Sequence, residues 1–248
     1  MSWPIVILGN PGTGKTYGAF NIDYDEFNVH IQGLPPEKTF YINPIGKPLP
    51  KLKGYNEVVV NEKGQAIGNL VNAADSVAVY QWMIYASTLP HIENIVVDDF
   101  QQTMADDFLS RKDEKGYDKF GQIGYNAANI LLISSKLRAN ICVFILAHTE
   151  EFIGEDGIIR IKFKTIGKML DEKFSPEGMF TTILYAEVEW DDKNDHPVMY
   201  YRTVKKNKYD PVRAELGMFA NDAGKPLHRI PNDFAVIKDM MRKHYSKA

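Results

Sequence analysis

A chain of 248 residues, 44% hydrophobic and 25% charged, has room for one large domain with a sizeable core; its formal net charge of −3 excludes a generally basic nucleic-acid coat but not a local basic groove. The one cysteine, Cys142, excludes a disulfide framework and a cysteine-based zinc site within the chain. No apolar run approaches the roughly 18 residues of a membrane helix. No signal peptide fits ahead of a first strand that begins by Pro4, so a reducing cytoplasm is the expected compartment.

Residues 4–8 read as a short strand buried on both faces. Gly9-Asn10-Pro11-Gly12-Thr13-Gly14-Lys15-Thr16 follows, the G-x-x-x-x-G-K-T phosphate-binding pattern known as Walker A. Chance supplies that pattern in about 1% of chains this long at average composition, so it is treated as a site. Its glycines let backbone N–H groups turn inward around phosphate oxygens. Lys15 brings a point charge to the β- and γ-phosphates, and the Thr16 hydroxyl is a ligand for Mg²⁺. These eight residues and the adjoining Tyr17 form the expected ATP-binding set, with Lys15 also catalytic. A helix starting at the loop is expected to add its positive N-terminal dipole.

A second strand is expected over 38–43, ending in Asn43-Pro44 without a carboxylate, and a helix over 73–87 with Pro90 beyond its end. The apolar strand 94–98 ends in Asp98-Asp99, the Walker B arrangement. Asp98 is the expected Mg²⁺ ligand beside Thr16, and Asp99 either polarises the attacking water or orients Asp98. Residues 101–120 read as a loop with a single arginine, Arg111, which argues against the arginine-rich lid of a small-molecule kinase. A helix over 122–138 leads to a strand over 140–147, with Cys142 as a buried core thiol. His148-Thr149-Glu150 then reaches the ligand-facing edge. His148 or Thr149 is the expected γ-phosphate sensor, and the catalytic base lies between Asp99 and Glu150.

The last third alternates. Residues 158–166 follow a turn at 154–157 and carry Arg160, Lys162 and Lys164 on one face, with Lys168 beyond. A basic ribbon suits a phosphate backbone, and Phe163 or Phe152 would stack a base. A solvated edge strand and contact with a neighbouring subunit's nucleotide are the other readings. A second basic cluster runs from Arg202 to Tyr209, with Arg213 after it, and reads first as solvated surface and second as a finger toward a neighbour's phosphate. Strands over 180–190 and 197–204 flank a turn at 191–195. An amphipathic helix from Asp233 to about His244 closes the chain.

The order of these features resembles the phage-encoded P-loop ATPases of the RecA-like class, some of them grouped with phage single-strand-annealing and recombination proteins. Matching segments at 9–16, 39–50, 95–100, 116–120, 147–150, 164–170, 177–180, 217–219 and 230–234 span nearly the whole chain. Lys164-Thr165-Ile166-Gly167-Lys168-Met169-Leu170 and Pro231-Asn232-Asp233 are the more specific ones. The resemblance implies an α/β fold: a RecA-like P-loop core with a mainly parallel sheet flanked by helices, a C-terminal antiparallel β extension and a closing helix. The chain is expected to be one such domain, its nucleotide core over about 1–150 and its extension over about 151–248. The resemblance also implies ATP and Mg²⁺ binding through Lys15, Thr16 and Asp98, with His148 near the phosphates. It implies work on single-stranded DNA in recombination or replication, assembly into rings or filaments, and a phage single-strand-binding or replication protein as partner. The alternative function is a nucleotide-gated loader or assembly ATPase acting on a protein; a small-molecule kinase ranks below it.

Overall fold

In the computed structural model, residues 1–165, 176–193 and 195–246 are described. In chain order the strands are β1 (Trp3–Leu8), β2 (Ile22–Tyr24), β3 (Val29–Ile31), β4 (Thr39–Ile42), β5 (Val59–Val60), β6 (Ala66–Ile67), β7 (Leu70–Val71), β8 (Asn94–Val97), β9 (Cys142–Ala147), β10 (Thr149–Ile153), β11 (Ile159–Phe163), β12 (Ile183–Asp191), β13 (His196–Arg202) and β14 (Arg229–Pro231). The described α-helices are α1 (Ser76–Thr88), α2 (Gln101–Ser110), α3 (Asp118–Ser134) and α4 (Phe234–Tyr245).

The central sheet runs β14-β13-β12-β1-β9-β8-β4-β7. From β12 to β7 every pairing is parallel, whereas β13 and β14 continue the sheet antiparallel. The expected α/β P-loop core with an antiparallel extension and a closing helix is therefore present. The apolar runs do not alternate in polarity because both faces are covered. Val6, Leu8, Ile95, Val97, Val143 and Ile145 face one core with Met83 of α1, Met104 of α2 and Ile130 of α3. Their strand neighbours Ile5, Ile7, Val96, Phe144 and Leu146 face the other core, closed by Phe234, Ile237 and Met241 of α4. Cys142 belongs to this second core, and burial pushes its thiol up to about 12, so it is the inert core thiol expected.

Two expected elements differ. Part of the loop expected at 101–120 is α2, because Phe100, Met104 and Phe108 recur at four-residue spacing and pack on α3 and the sheet. Asp107, almost fully buried, joins three helices: it accepts from the Ser76 hydroxyl at 2.6 Å and from Asn126 at 3.2 Å. The second difference follows the P-loop. Tyr17–Ala19 is a single 3₁₀ turn instead of the start of a long helix. The chain then folds into the β2–β3 hairpin, fixed by Leu34 N–H donating to the Ala19 carbonyl at 2.9 Å. The sheet face beneath is already filled by α4, whose Phe234 stacks on Phe144 with ring centroids 4.3 Å apart. Asp233 caps α4 through Ala235 N–H at 2.8 Å and also accepts from the N–H groups of Gln32 and Gly33, which anchors the displaced segment. Among the described residues, no helix is long and apolar enough to cross a membrane.

At the opposite edge of the sheet, Glu93 fastens β8 to α4. It accepts from Lys238 at 2.7 Å and Lys38 at 2.8 Å, and these hydrogen bonds draw its carboxyl down to about 2. A carboxyl depressed by folding stabilises the fold above its ordinary value and loses that contribution as pH falls through the folded value. Glu93→Gln should therefore cost about 1–2 kcal/mol at pH 7 after allowance for solvent screening. In denaturant titrations the gap from wild type should close as pH is lowered from about 4.5 to about 2. A pH-independent gap would remove the ion pairs as its cause.

Candidate nucleotide site

The parallel strands end together at one edge, where the loops after β1, β4, β8 and β9 converge. Since β9 lies between β1 and β8, His148 emerges between the P-loop and the Asp98-Asp99 pair. Residues 11–17, Lys47, Asp99 and His148 line a cleft of about 320 Å³.

Gly14 adopts φ +80°, and a side chain there would meet Met199 Sδ at 2.5 Å and Asn232 Nδ2 at 2.7 Å. Asn232 donates to the Gly14 carbonyl at 3.0 Å and accepts from the Tyr201 hydroxyl at 2.7 Å. The Pro231-Asn232-Asp233 segment thus braces the loop from beneath. On the other flank, Asn10 accepts from the Thr149 hydroxyl at 2.9 Å and donates to Glu151 at 3.0 Å, while Tyr185 donates to the same Glu151 oxygen at 2.7 Å. Lys15 is almost fully buried. Its Nζ donates to the carbonyls of Gly9 at 2.7 Å and Asn10 at 2.9 Å. Burial pushes this ammonium down to about 8, against the pull of Asp99 and Asp98. With only a 3₁₀ turn behind the loop, no long helix points its dipole at this cleft.

Thr16 and Asp98, the expected metal pair, do meet: the Thr16 hydroxyl donates to Asp98 Oδ2 at 3.0 Å. Asp98 is fully buried and also accepts from the Tyr41 hydroxyl at 2.8 Å and from the Asp99 N–H at 3.0 Å. Burial and then Asp98 raise the Tyr41 phenol well above its ordinary value, so it remains a donor. A hydroxyl and a carboxylate are the hard oxygen ligands Mg²⁺ takes, and a cation already sits against them. Lys47 Nζ is 3.3 Å from Thr16 Oγ1 and 3.2 Å from Asp98 Oδ2, and it pairs tightly with Asp99 Oδ2. The residues present fit a magnesium-bound phosphate chain.

Asp99 leaves the strand at φ +46°. It holds His148 Nε2 at 3.1 Å as well as Lys47. Burial alone would raise its carboxyl, but the hydrogen bonds from His148 and Lys47 hold it well below the usual carboxylate range. So weak a base suits charge balance better than proton abstraction. Glu150 is not brought to the cleft. In the β10–β11 hairpin it pairs with Lys162 at a 3.5 Å ion-pair distance on the outer face, while Thr149 and Glu151 face inward opposite Phe163 and Ile161. The side chain that reaches the P-loop is Glu151, one position on. His148 lines the cleft, and Thr149 reaches the P-loop through its bond to Asn10.

The basic face of β11 is largely neutralised. Arg160 pairs with Asp156 at 3.1 Å and covers the Tyr209 ring at 4.1 Å, and Lys162 pairs with Glu150. Lys164 is exposed, and Lys168 lies outside the described residues. Phe163 cannot stack a base, because it is buried edge-on against Phe100 at 5.6 Å. Nor does Arg202 reach a neighbour: it is buried against Asp210 and Glu187.

Sequence reading missed Lys47, Tyr41, Glu151 and Asn232. Lys47 had a signal, since it follows a parallel strand whose carboxyl end must face the ligand. Tyr41 was hidden within an apolar strand.

No family model and no curated protein matches the chain. Among solved structures, a KaiC-like protein from the hyperthermophilic archaeon Pyrococcus horikoshii superposes over 84% of this chain and 81% of its own, at 11% identity and a TM-score of 0.40, too loose a likeness to carry a functional argument.

Tyr41→Phe takes one donor from a fully buried carboxylate and should cost about 1–3 kcal/mol of stability in denaturant titration. Wild-type stability in that variant would show that Asp98 is satisfied without it.

Proposed function

We propose that this chain is a RecA-like P-loop ATPase that binds Mg·ATP at the carboxyl edge of its sheet. The observation that carries this reading is the meeting of Thr16 with Asp98, a buried carboxylate 82 residues away in the chain, behind a cleft that Lys15 and Thr16 line. When bound, Mg·ATP supplies a phosphoryl group open to attack by water. The N–H groups of residues 12–16 would surround the phosphates. Lys15 leaves the Gly9 and Asn10 carbonyls for phosphate oxygens. Thr16 and Asp98 would hold the cation, and His148 lines the same cleft. Asp99 is held by Lys47 and His148, and Glu150 faces away, so neither is a ready general base. Hydrolysis by the isolated chain is therefore slow, and a partner completes the site.

The route from nucleotide to partner is Asn10. Its side chain is held by Thr149 and Glu151, the first and third residues of the β10–β11 hairpin, so a loop that moves onto phosphate pulls on the hairpin. Single-stranded DNA, bound by an oligomer in recombination or replication, is the polymer the resemblance suggests for that hairpin, through Arg160, Lys162 and Lys164. A second reading has a specific observation in its favour. Arg160 and Lys162 are paired with Asp156 and Glu150, while Ile153 and Ile159 lie opposite each other at the hairpin's tip, 73% and 51% exposed. That tip suits a protein surface, as in a loader or assembly ATPase.

ATP hydrolysis with and without single-stranded DNA separates the readings. Lys15→Ala should fold normally and abolish turnover; turnover at the wild-type rate would refute the nucleotide site. Stimulation by DNA supports the first reading, and indifference to DNA supports the second. If the hairpin cations touch phosphates, replacing Arg160, Lys162 and Lys164 together by Ala should flatten the slope of log K against log salt by about 2.

A further inference from the structure

The geometry points to Lys47 as a resident counter-ion of the metal seat: its ammonium holds the position between Thr16 and Asp98 in the nucleotide-free protein, and Mg²⁺ enters only by exchange with it. We propose this on the reading of the cleft as a Mg·nucleotide site, to which it adds the order of events.

Asp98 and Asp99 are consecutive, 0% and 4% exposed, and both lie at the same strand end. Two buried carboxylates this close require a cation. Among the described residues, Lys47 is the side chain that reaches both, and it touches the Thr16 hydroxyl as well. Those oxygens include both ligands assigned to the metal, so ammonium and Mg²⁺ exclude each other by contact.

The device is anchored at one end and free at the other. Asn43 Nδ2 donates to the Lys47 carbonyl at 2.9 Å and to Asn72 Oδ1 at 3.1 Å, which fixes the backbone between Gly46 and Pro48. The Lys47 side chain is still about one-third exposed, at 32%, and lines the open cleft, so it can swing without moving the loop. Where it swings follows from charge as well. Free Mg²⁺ would have to evict a paired ammonium into water. A phosphate chain carrying its own Mg²⁺ brings the anionic oxygens that receive it. Lys47 therefore disfavours metal alone and admits metal with nucleotide.

The test uses Mn²⁺ as the probe, followed by the loss of its free EPR signal, on the full-length nucleotide-free chain. Lys47→Met and Lys47→Gln, with folding checked by circular dichroism, should bind Mn²⁺ at least about tenfold more tightly than wild type, because a buried pair of carboxylates loses its cation. Adding Asp98→Asn to either variant should abolish the gain. Equal Mn²⁺ affinity in wild type and both variants would overturn the proposal, as would a gain that survives Asp98→Asn. A second measurement needs no variant. Acetylation of Lys47 in wild type, quantified by mass spectrometry, should be low in the nucleotide-free protein and rise severalfold with Mn·ADP, which lacks the terminal phosphate that would receive the amine. Unchanged acetylation at saturating Mn·ADP would also overturn it. These outcomes are separable from the parent reading. A Mn²⁺ gain in a chain that binds no ATP would leave Lys47 guarding a cation seat and would refute the nucleotide assignment instead.

Discussion

Two carboxylates that share one buried strand end set the terms for everything around them. Asp98 and Asp99 follow β8, an interior strand of the parallel sheet, and Asp98 has no solvent exposure while Asp99 has little. Each neighbour answers that charge in its own way. Thr16 and Tyr41 donate hydroxyls, the backbone N–H of Asp99 turns back on Asp98, and Lys47 and His148 supply cationic or polar N–H groups. Unpaired, such a cluster would be strongly destabilising. Paired by a lysine that is free to move, it becomes a seat for an exchangeable cation. Retaining such a cluster at the lip of a phosphate loop makes chemical sense if a metal-borne anion is the visitor.

The P-loop is held from two sides, and the two supports differ in kind. Beneath it, Asn232 and Tyr201 lie in the core and tie the loop to the sheet extension that carries α4. Beside it, Asn10 joins Thr149 and Glu151 on a hairpin whose outer face is solvent-exposed. A C-terminal segment that would look dispensable from its distance along the chain is thus part of the loop's foundation.

The parallel strands were legible because burial on both faces forces continuous apolar runs, and the site edge was legible because strand ends in such a sheet face the ligand. What escaped the sequence depended on tertiary competition or on phase. A helix was expected after Thr16 because the motif normally continues that way, but Phe234 and the rest of α4 occupy the face it would need. Glu150 and Glu151 are interchangeable until the pairing of Thr149 with Phe163 sets which points inward. Arg160 and Lys162 looked available because their acidic partners, Asp156 and Glu150, fall before the strand and across the turn. Lys47 sits on an irregular loop whose path no periodicity encodes.

Equilibrium titration of the full chain with a fluorescent ATP analogue in Mg²⁺ tests the central claim most directly. The account predicts saturable binding at one site per chain, displaced by unlabelled ATP and weakened when Mg²⁺ is chelated. Absence of displaceable binding, in a chain shown to be folded, would contradict it.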